Sequence, residues 1–380
     1  MLVFVSICFY GLHGLAEYTE LLNPTHNPIS DYQLSDLYFS TLQDEIAPDN
    51  RIAIIDLGSN PSYDTIAKVV QYVSDAKATA IGIDYSFERN LPEKGFDSLL
   101  ATIKRNKEKI VLGVTMPEHG HNMFDSFFYT QLPAGEVNFG FTEFVGEYEL
   151  ATVREFEREK HAAIGNRKLS CFGAKLVQVS KNQEAYKTLF KQPDNEQIIS
   201  YKKIKAKIPR YEVIPLFGYS SEKLIKGKII LLGSRITDYH YTPLDTLTGR
   251  SLPDMSGIDI HANIISTILE EQYIKVLRID KIWSLAIAYF FVIILIILFK
   301  RSGHFYHILF HFLFTVFVIV LIFISYIGFE YQKKLEPLAI LLPVLAAGNL
   351  IYTYVAIAKV VKKKMGNLNF SYLLAGGEEH

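Results

Sequence analysis

Three long segments near the C-terminus carry no Asp, Glu, Lys or Arg, and they constrain the fold more than any other feature. They are residues 282–299, 305–329 and 337–358. A helix of about 20 residues crosses a hydrocarbon core roughly 30 Å thick. Because lipid offers the backbone no hydrogen-bond partners, such segments must be helices rather than isolated strands. We therefore predict three transmembrane helices within residues 281–358, and a lipid membrane as a partner of the chain.

Basic residues beside these segments predict their orientation. Lys300 and Arg301 separate the first two segments, and four lysines follow the third. The positive-inside rule places both groups in the cytoplasm. The loop 330–336 balances two lysines with two glutamates and is predicted to face outward. Residues 17–280 then lie outside as well, and residues 359–380 form a short cytoplasmic tail.

The N-terminal residues 1–16 permit two interpretations. The segment is apolar, but it is shorter than the usual span and has no basic residue ahead of it. Gly14-Leu15-Ala16 resembles a signal-peptide cleavage site, whereas the missing basic residues favour an uncleaved transmembrane anchor. Either arrangement sends the residues after Glu17 across the membrane.

Charge and cysteine content exclude some classes of partner. The 39 basic and 40 acidic residues give a formal net charge of −1, so there is no excess of positive charge to hold a phosphate backbone. We expect no nucleic-acid partner. Cys8 and Cys171 lie in segments that cannot easily meet, so no disulfide framework is predicted.

Residues 17–280 show the pattern of an α/β domain. Short apolar runs at 52–57, 80–84 and 109–114 predict strands. Between them, residues 63–75 and 96–106 carry apolar side chains at helical spacing. Nearly continuous apolar strands suit a mostly parallel sheet with covering helices on both faces.

The later part of this domain has a less regular pattern. The run KIILLG at 228–233 predicts a strand that returns to the same sheet, and residues 258–270 predict the helix after it. Within 131–214 the pattern shows a strand near 136–141 and a helix near 174–180. The topology of that segment stays open.

Several motifs occur in a particular order between Arg51 and Leu269. They are RIAIIDL (51–57), AIGIDYSF (80–87), VNF (137–139), TVR (152–154), KGKIILLGS (226–234), D-x-x-x-TP (238–243) and SGIDIHANIISTIL (256–269). This order resembles the CHASE2 family, whose members are extracytoplasmic sensory domains of bacterial receptors. The predicted arrangement, with an anchor before the domain and three spans after it, also resembles that of the family's members.

The resemblance implies a stimulus sensor in the bacterial inner membrane, with its main domain in the periplasm. In many relatives an enzymatic output domain follows the last span, but residues 359–380 are too short for one. We therefore expect this chain not to be an enzyme and a separate protein partner to supply the output. The resemblance does not supply the extracytoplasmic ligand.

Candidate ligand-binding residues follow from the expected sheet. Open parallel sheets bind ligands beyond the carboxyl ends of their strands, and several polar residues mark those ends or the loops after them. The predicted ligand-binding set is Asp56, Asp84, Ser234, Asp238, His240 and His261. Such oxygen-rich sets can hold a cation or a polar solute. The alternative is that these side chains cap helices and brace turns, as short polar residues commonly do.

The sequence contains no motif for metal binding, nucleotide binding or nucleophilic catalysis. No Cys/His spacing of a metal site, no P-loop and no G-x-S-x-G turn occurs. We predict no catalytic residue, metal or cofactor.

A row of histidines begins the second predicted span. His304, His307 and His311 stand at i, i+3 and i+7, which places them on one helix face. Ionisable residues inside a membrane are functional candidates, here for haem or metal binding or proton relay. Packing at the interface, where a polar side chain costs little, is the simpler interpretation.

The tail residues and the function of the chain each have two interpretations. Phe370, Tyr372, Leu373 and Leu374 interrupt the polar tail and are candidates for binding a partner; adsorption to the membrane is the alternative. The chain itself is compatible with a sensor component or with a structural subunit of a cell-envelope complex. A homo-oligomer also stays open.

Overall fold

The computed structural model describes the region around a central sheet most completely. The described residues are 36, 38–43, 49–58, 60–85, 87, 94–115, 132, 137–145, 152–161, 168–202, 210–212, 222–234, 238–244, 253–277, 286–287, 289–291, 293–294, 297, 304–331, 333–335 and 360. The chain divides into two compact units. One is Pro24–Ile274, and the other is Lys275–His380 together with Met1–Asn23.

The first unit alternates strands and helices. Its strands are β1 (Ile52–Asp56), β2 (Ala80–Asp84), β3 (Ile110–Val114), β4 (Asn138–Phe141), β5 (Glu155–Glu157), β6 (Glu159–His161), β7 (Lys168–Ser170), β8 (Glu196–Ile198), β9 (Arg210–Glu212), β10 (Ile229–Gly233), β11 (Tyr239–His240) and β12 (Met255–Ser256). Its helices are α1 (Tyr63–Asp75), α2 (Phe96–Arg105), α3 (Phe172–Val179), α4 (Gln183–Phe190), α5 (Glu222–Ile225) and α6 (Gly257–Leu269), with a π-helical turn at Tyr38–Leu42.

Six of these strands form one parallel sheet in the order β4-β3-β2-β10-β1-β9. Strands β3 and β10 are buried at every position, as a sheet covered on both faces requires. The prediction that the KIILLG run returns to this sheet is confirmed. It takes the place between β1 and β2, so the last of the six sheet strands in chain order lies inside the sheet rather than at its edge.

Helix α1 has a capping residue and apolar residues at helical spacing, which is why its bounds could be predicted from the sequence. Ser62 caps it by accepting a hydrogen bond from the Thr65 N–H at 3.2 Å. Ile66, Val69 and Val73 repeat at helical spacing and are fully buried. The helix runs over Tyr63–Asp75, the bounds that the spacing predicts.

Helices cover both faces of the sheet. Helices α1 and α2 pack on each other and share a core with Ile81 and Ile83 of β2. Gly82, between these two, faces the other way, and a Cβ there would lie 2.7 Å from the ring of Phe172. Helix α3 therefore packs on the opposite face, where α6 also contacts β1 and β10. The resulting layers are helix, sheet and helix.

The segment whose topology the sequence left open contains short elements. Strand β4 forms the edge of the central sheet, while β5 pairs with β8 and β6 with β7 in antiparallel fashion. The helix predicted near 174–180 begins earlier, at Phe172, because the Cys171 sulfur accepts the Ala174 N–H and caps the first turn.

The second unit contains β13 (Lys275–Leu277), α7 (His304–Glu330) and β14 (Lys333–Leu335). Side chains of α7 are described at 309, 312–324 and 327–328. Within the described residues, no helix is long and apolar enough to cross a membrane. The three spans therefore remain a prediction. The predicted segments 1–16, 337–358 and most of 359–380 lie outside the described residues.

Candidate functional site

The predicted strand-end residues lie side by side at the carboxyl edge of the sheet. Gly233 of β10 is in register with Asp56 of β1 on one side and with Asp84 of β2 on the other. Since neighbouring strands are about 4.8 Å apart, the two aspartates flank Gly233 at about 10 Å from each other. Ser234 follows Gly233 and is half-buried.

Asp56 has a structural task at this edge. Its carboxylate accepts the Gly58 N–H at 2.9 Å, and Gly58 has a positive φ of 76°. This is the turn-bracing role that short acidic side chains commonly take. For Asp56 the turn-bracing alternative is therefore observed.

The D-x-x-x-TP motif is attached at both ends to the chain that leads into α6. The Asp238 carbonyl accepts the Gly257 N–H at 2.8 Å. At the other end, Asp254 accepts both the backbone N–H of Thr242, at 2.7 Å, and its hydroxyl, at 2.5 Å. These contacts hold β11 over the first turn of α6.

Asp238 and His240 are hydrogen-bonded above that first turn. Their Oδ1 and Nε2 atoms are 2.8 Å apart, with the aspartate side chain 58% exposed and the histidine 12% exposed. The hydrogen bond from His240 holds the pKa of Asp238 below its ordinary value, against the opposing effect of burial. The second carboxylate oxygen lies so close to Gly257 that a Cβ at that position would overlap it.

His261 lies one helical turn beyond Gly257, close to Asp238 and His240. It is 3% exposed, and its Nδ1 atom has no hydrogen-bond partner among the described residues. Burial lowers its pKa to about 3, so the ring is neutral at physiological pH. The nearby Asp238 favours the protonated ring, but this attraction is weaker than the effect of burial.

Two phenylalanines complete the group. Phe144, after β4, has its ring centroid 5.2 Å from that of His240 and 4.8 Å from that of His261. Phe172 of α3 meets His261 edge-on at 5.1 Å. Neither was predicted as a site residue, because a phenylalanine in a loop or at a helix start is usually a core residue. We call Asp238, His240, His261, Phe144 and Phe172 the histidine cluster.

The histidine cluster lies beside the carboxyl edge of the sheet. Adjacent residues of α6 contact both places: Gly257 meets Asp238, while Ile258 would be 2.6 Å from a Cβ at Gly233. The structure thus brings together Asp238, His240 and His261, with Asp84 and Ser234 next to them on the strand ends. A ligand entering here would meet one exposed carboxylate, one buried neutral imidazole and aromatic faces.

The family model described as CHASE2 domain matches residues 22–299, which is most of the chain. The chain belongs to the CHASE2 family. No curated protein and no solved structure matches it. CHASE2 domains are extracytoplasmic sensory domains of membrane proteins, so a sensory role agrees with the family.

The far end of α6 in this CHASE2 domain holds a second polar group, which we call the C-terminal clamp. Lys202, 5% exposed in its side chain, donates to Ser266 at 3.1 Å and pairs with Glu270. Arg51 binds Asp49 through two nitrogens, at 2.7 and 2.9 Å. Burial raises the pKa of Asp49, but the Arg51 hydrogen bonds outweigh it and leave the pKa below its ordinary value.

The clamp also matches the helix dipole. Arg51 donates to the Leu269 carbonyl at 3.2 Å, and Ser266 donates to Asp49 at 3.1 Å. Cations near the last turn of a helix are stabilising, because the free carbonyls carry partial negative charge. Both ends of α6 are therefore fixed by charged side chains from other parts of the chain.

The other predicted site residues lie partly or wholly outside the described residues. His304, His307 and His311 lie on α7, but their side chains lie outside the described residues. The tail residues Phe370, Tyr372, Leu373 and Leu374 also lie outside the described residues. Among the described residues, no group of three or more His, Cys, Asp or Glu side chains could hold a metal ion.

Proposed function

We propose that this CHASE2 protein is a membrane-bound sensor component of the bacterial inner membrane. Its histidine cluster binds a small polar molecule outside the cytoplasm, and α6 passes the resulting change to the transmembrane helices. A separate cytoplasmic or membrane partner produces the output. The protein is a receptor in signal transduction, not an enzyme.

One observation carries the ligand-binding part of this proposal. The Nδ1 atom of His261 is buried, and no described residue satisfies it. Buried polar atoms in native proteins nearly always have partners, so an open one needs a reason. A bound ligand supplies that partner, and the exposed carboxylate of Asp238 gives it a second, charged contact.

Helix α6 suits the transmitting role because it has one polar group at each end. The histidine cluster surrounds its first two turns, and the C-terminal clamp holds its last turn. A ligand changes the structure only through a difference in its affinity for two states. Contacts at the N-terminal end of α6 offer such a difference.

Exposed apolar side chains support the membrane part. Phe312, Ile319 and Phe323 of α7 are each about 60% exposed. Large exposed apolar surfaces usually contact lipid or another protein. A lipid environment around α7 accounts for them without another chain.

A structural subunit or docking module of a cell-envelope complex is the alternative function. The turn-bracing role of Asp56 shows that polar residues at this edge can serve the fold alone. The two functions differ in how they depend on the histidine cluster: only a sensor loses its function when the cluster is altered but the fold is kept.

Transcript profiles of cells can separate the two functions. We compare cells that carry the parent chain, no chain, or full chains with Asp238→Asn or His261→Ala, at equal amounts in the membrane. For a sensor, both variants reproduce the profile of the deletion. If the variants fold and give the parental profile while the deletion differs, the structural function is correct and the sensor proposal is wrong.

A further inference from the structure

The first unit ends at Ile274, and β13 begins with the next residue, Lys275. After α6, Glu271 adopts a left-handed conformation with φ of 54°. The N–H groups of Glu271 and Gln272 donate to the carbonyls of Ile268 and Thr267, both at 3.2 Å, which is the pattern of a Schellman motif. A tightly closed helix end of this kind leaves little freedom in the residues that follow.

Those following residues are also held. Tyr273 and Ile274 are 5% and 9% exposed, and the next residue, Lys275, already belongs to β13. Only residues 270–274 thus separate the end of α6 from β13 along the chain.

Strand β13 pairs with a strand far away in the sequence. It runs parallel to β14, with Lys275, Val276 and Leu277 in register with Lys333, Lys334 and Leu335. Strand β14 belongs to the loop 330–336, which the sequence predicts to face outward between the second and third spans. The pairing thus joins the exit of the sensory domain to that loop.

Strand β14 is in turn close to the end of α7. Only residues 331 and 332 separate them. A Cβ at Gly328 would lie 2.7 Å from the Lys333 carbonyl oxygen, so the helix end and the strand are in close contact. A shift of β14 cannot leave the last turn of α7 unaffected, because closely packed groups transmit displacement.

We infer that the β13–β14 pair is a coupling element that passes movement of α6 directly to α7. This inference rests on the proposed function. It adds a hydrogen-bonded route to the covalent one through residues 278–303. The signal then reaches the second predicted span through its outer end, without first crossing the membrane in the segment 282–299.

The pair has the low stability that a switching element needs. It is only three residues long on each side. The registered residues Lys275 and Lys333 are both exposed and carry like charges, which weakens cross-strand pairing. Elements that move are drawn from the less stable parts of a structure.

Disulfide trapping tests whether the pair exists. In the full chain with Cys8→Ser, in isolated cell membranes, we introduce Val276→Cys and Lys334→Cys. Registered strand neighbours are about 4.8 Å apart, within the Cα separation that a disulfide allows. The control pair Lys275→Cys and Leu335→Cys is two positions out of register, at about 8 Å, which is too far. Rapid oxidation of the first pair alone is expected; equal rates in both pairs overturn the inference.

The same disulfide then reports coupling. Gly257→Ala, which displaces Asp238 at the other end of α6, is added to the Val276→Cys/Lys334→Cys chain, with Lys187→Ala on exposed α4 as control. We expect Gly257→Ala to change the oxidation rate by about fivefold or more, the lower range of allosteric coupling. The control leaves the rate unchanged. Equal rates with and without Gly257→Ala overturn the coupling.

This result is separate from the test of the proposed function. If Asp238→Asn and His261→Ala mimic the deletion in cells but Gly257→Ala leaves the disulfide rate unchanged, the protein is a sensor and its signal takes another route. The inference then fails while the proposed function stands.

Discussion

At the scale of single residues, the site depends on a missing side chain. Gly257 lets the Asp238 carboxylate lie directly on the first turn of α6, where the free N–H groups favour negative charge. The same carboxylate orients His240. Any side chain at position 257 competes with this arrangement for space.

We predict that Gly257→Ala destabilises the protein. The added Cβ overlaps the Asp238 carboxylate, and overpacking of this kind costs about 1–3 kcal/mol. Chemical denaturation of the full chain in detergent measures the change. Adding Asp238→Ala to Gly257→Ala removes the overlap, so the double variant should lose less stability than the sum of the two single variants. Simple additivity would show that the overlap is not the cause.

We also predict a pH dependence that comes from His261. Burial lowers its pKa to about 3 from an ordinary 6.5, so the unfolded chain takes up a proton on acidification that the folded chain does not. Stability contributed by the neutral ring is complete above pH 6.5 and falls by about 1.4 kcal/mol per pH unit below it, until the folded pKa is reached. In His261→Phe this slope should be absent. Chemical denaturation between pH 6 and 4 measures the unfolding free energy of both chains, and the two slopes against pH should differ by about 1.4 kcal/mol per pH unit. Parallel slopes for parent and variant would refute the buried neutral imidazole.

Sequence reasoning reached part of this cluster. Asp238 and His240 were predicted because they lie on the loop after a strand that ends at the binding edge, and His261 because it lies near the start of the next helix. Phe144 and Phe172 were not, since they come from remote parts of the chain and meet the histidines only through the packing of β4 and α3. Asp56 was predicted with the others but braces its own turn. Local spacing shows which residues reach an edge and not which contacts they already make.

At the scale of elements, α6 is the part on which the account depends. Its first turns carry the histidine cluster, its last turn carries the C-terminal clamp, and residues 270–274 connect it to β13. Its buried sequence packs against β1, β10 and α3. Movement of α6 therefore involves both the sheet and the exit of the domain.

We predict that Lys202→Met weakens the C-terminal end of α6. The methionine keeps the apolar stem but removes the ammonium group that contacts Ser266 and Glu270, leaving Glu270 only its longer contact with Arg51 at 3.5 Å. Loss of a hydrogen-bonded charge costs about 1–3 kcal/mol, and hydrogen exchange should quicken in the last turn of α6. Lys187→Met, which breaks an exposed pair with Glu184, is the matched control and should change stability by less than about 1 kcal/mol. Equal losses of stability in the two variants would mean that the C-terminal clamp stabilises the protein no more than an exposed ion pair does.

Elements with a strong local pattern were predictable, and short ones were not. Strands β2 and β10 and helix α1 have a clear apolar signature and lie where it places them. The three-residue strands β5 to β8 are too short for a period to show. The central place of β10 also had no sequence signal, because strand order depends on packing across the whole domain.

At the scale of the whole molecule, the proposed sensor combines a CHASE2 domain with predicted membrane helices and a separate partner. The family match covers residues 22–299, so it includes the region where the domain is predicted to meet the first span. The β13–β14 pair, through which we infer the coupling, lies within the second unit. The partner is predicted to bind the cytoplasmic tail.

We predict that removing the residues after Lys364 separates partner binding from membrane insertion. The deletion removes Phe370, Tyr372, Leu373 and Leu374, whose apolar side chains are the candidate contact with a partner. Crosslinking in intact cells, followed by purification of the chain, should no longer recover the partner, while the chain stays in the membrane fraction. Undiminished recovery would place the partner's contact elsewhere on the chain.

The central claim is that the histidine cluster binds a molecule from outside the cytoplasm, and thermal stability tests it most directly. The full chain in detergent is melted with size-separated small-molecule fractions from the periplasm and medium of the producing cells. The account predicts that at least one fraction raises the Tm of the parent, because a ligand of the folded state stabilises it, but not that of Asp238→Asn or His261→Ala. A fraction that raises the Tm of all three chains equally, or no fraction that raises the parent's, would contradict the claim.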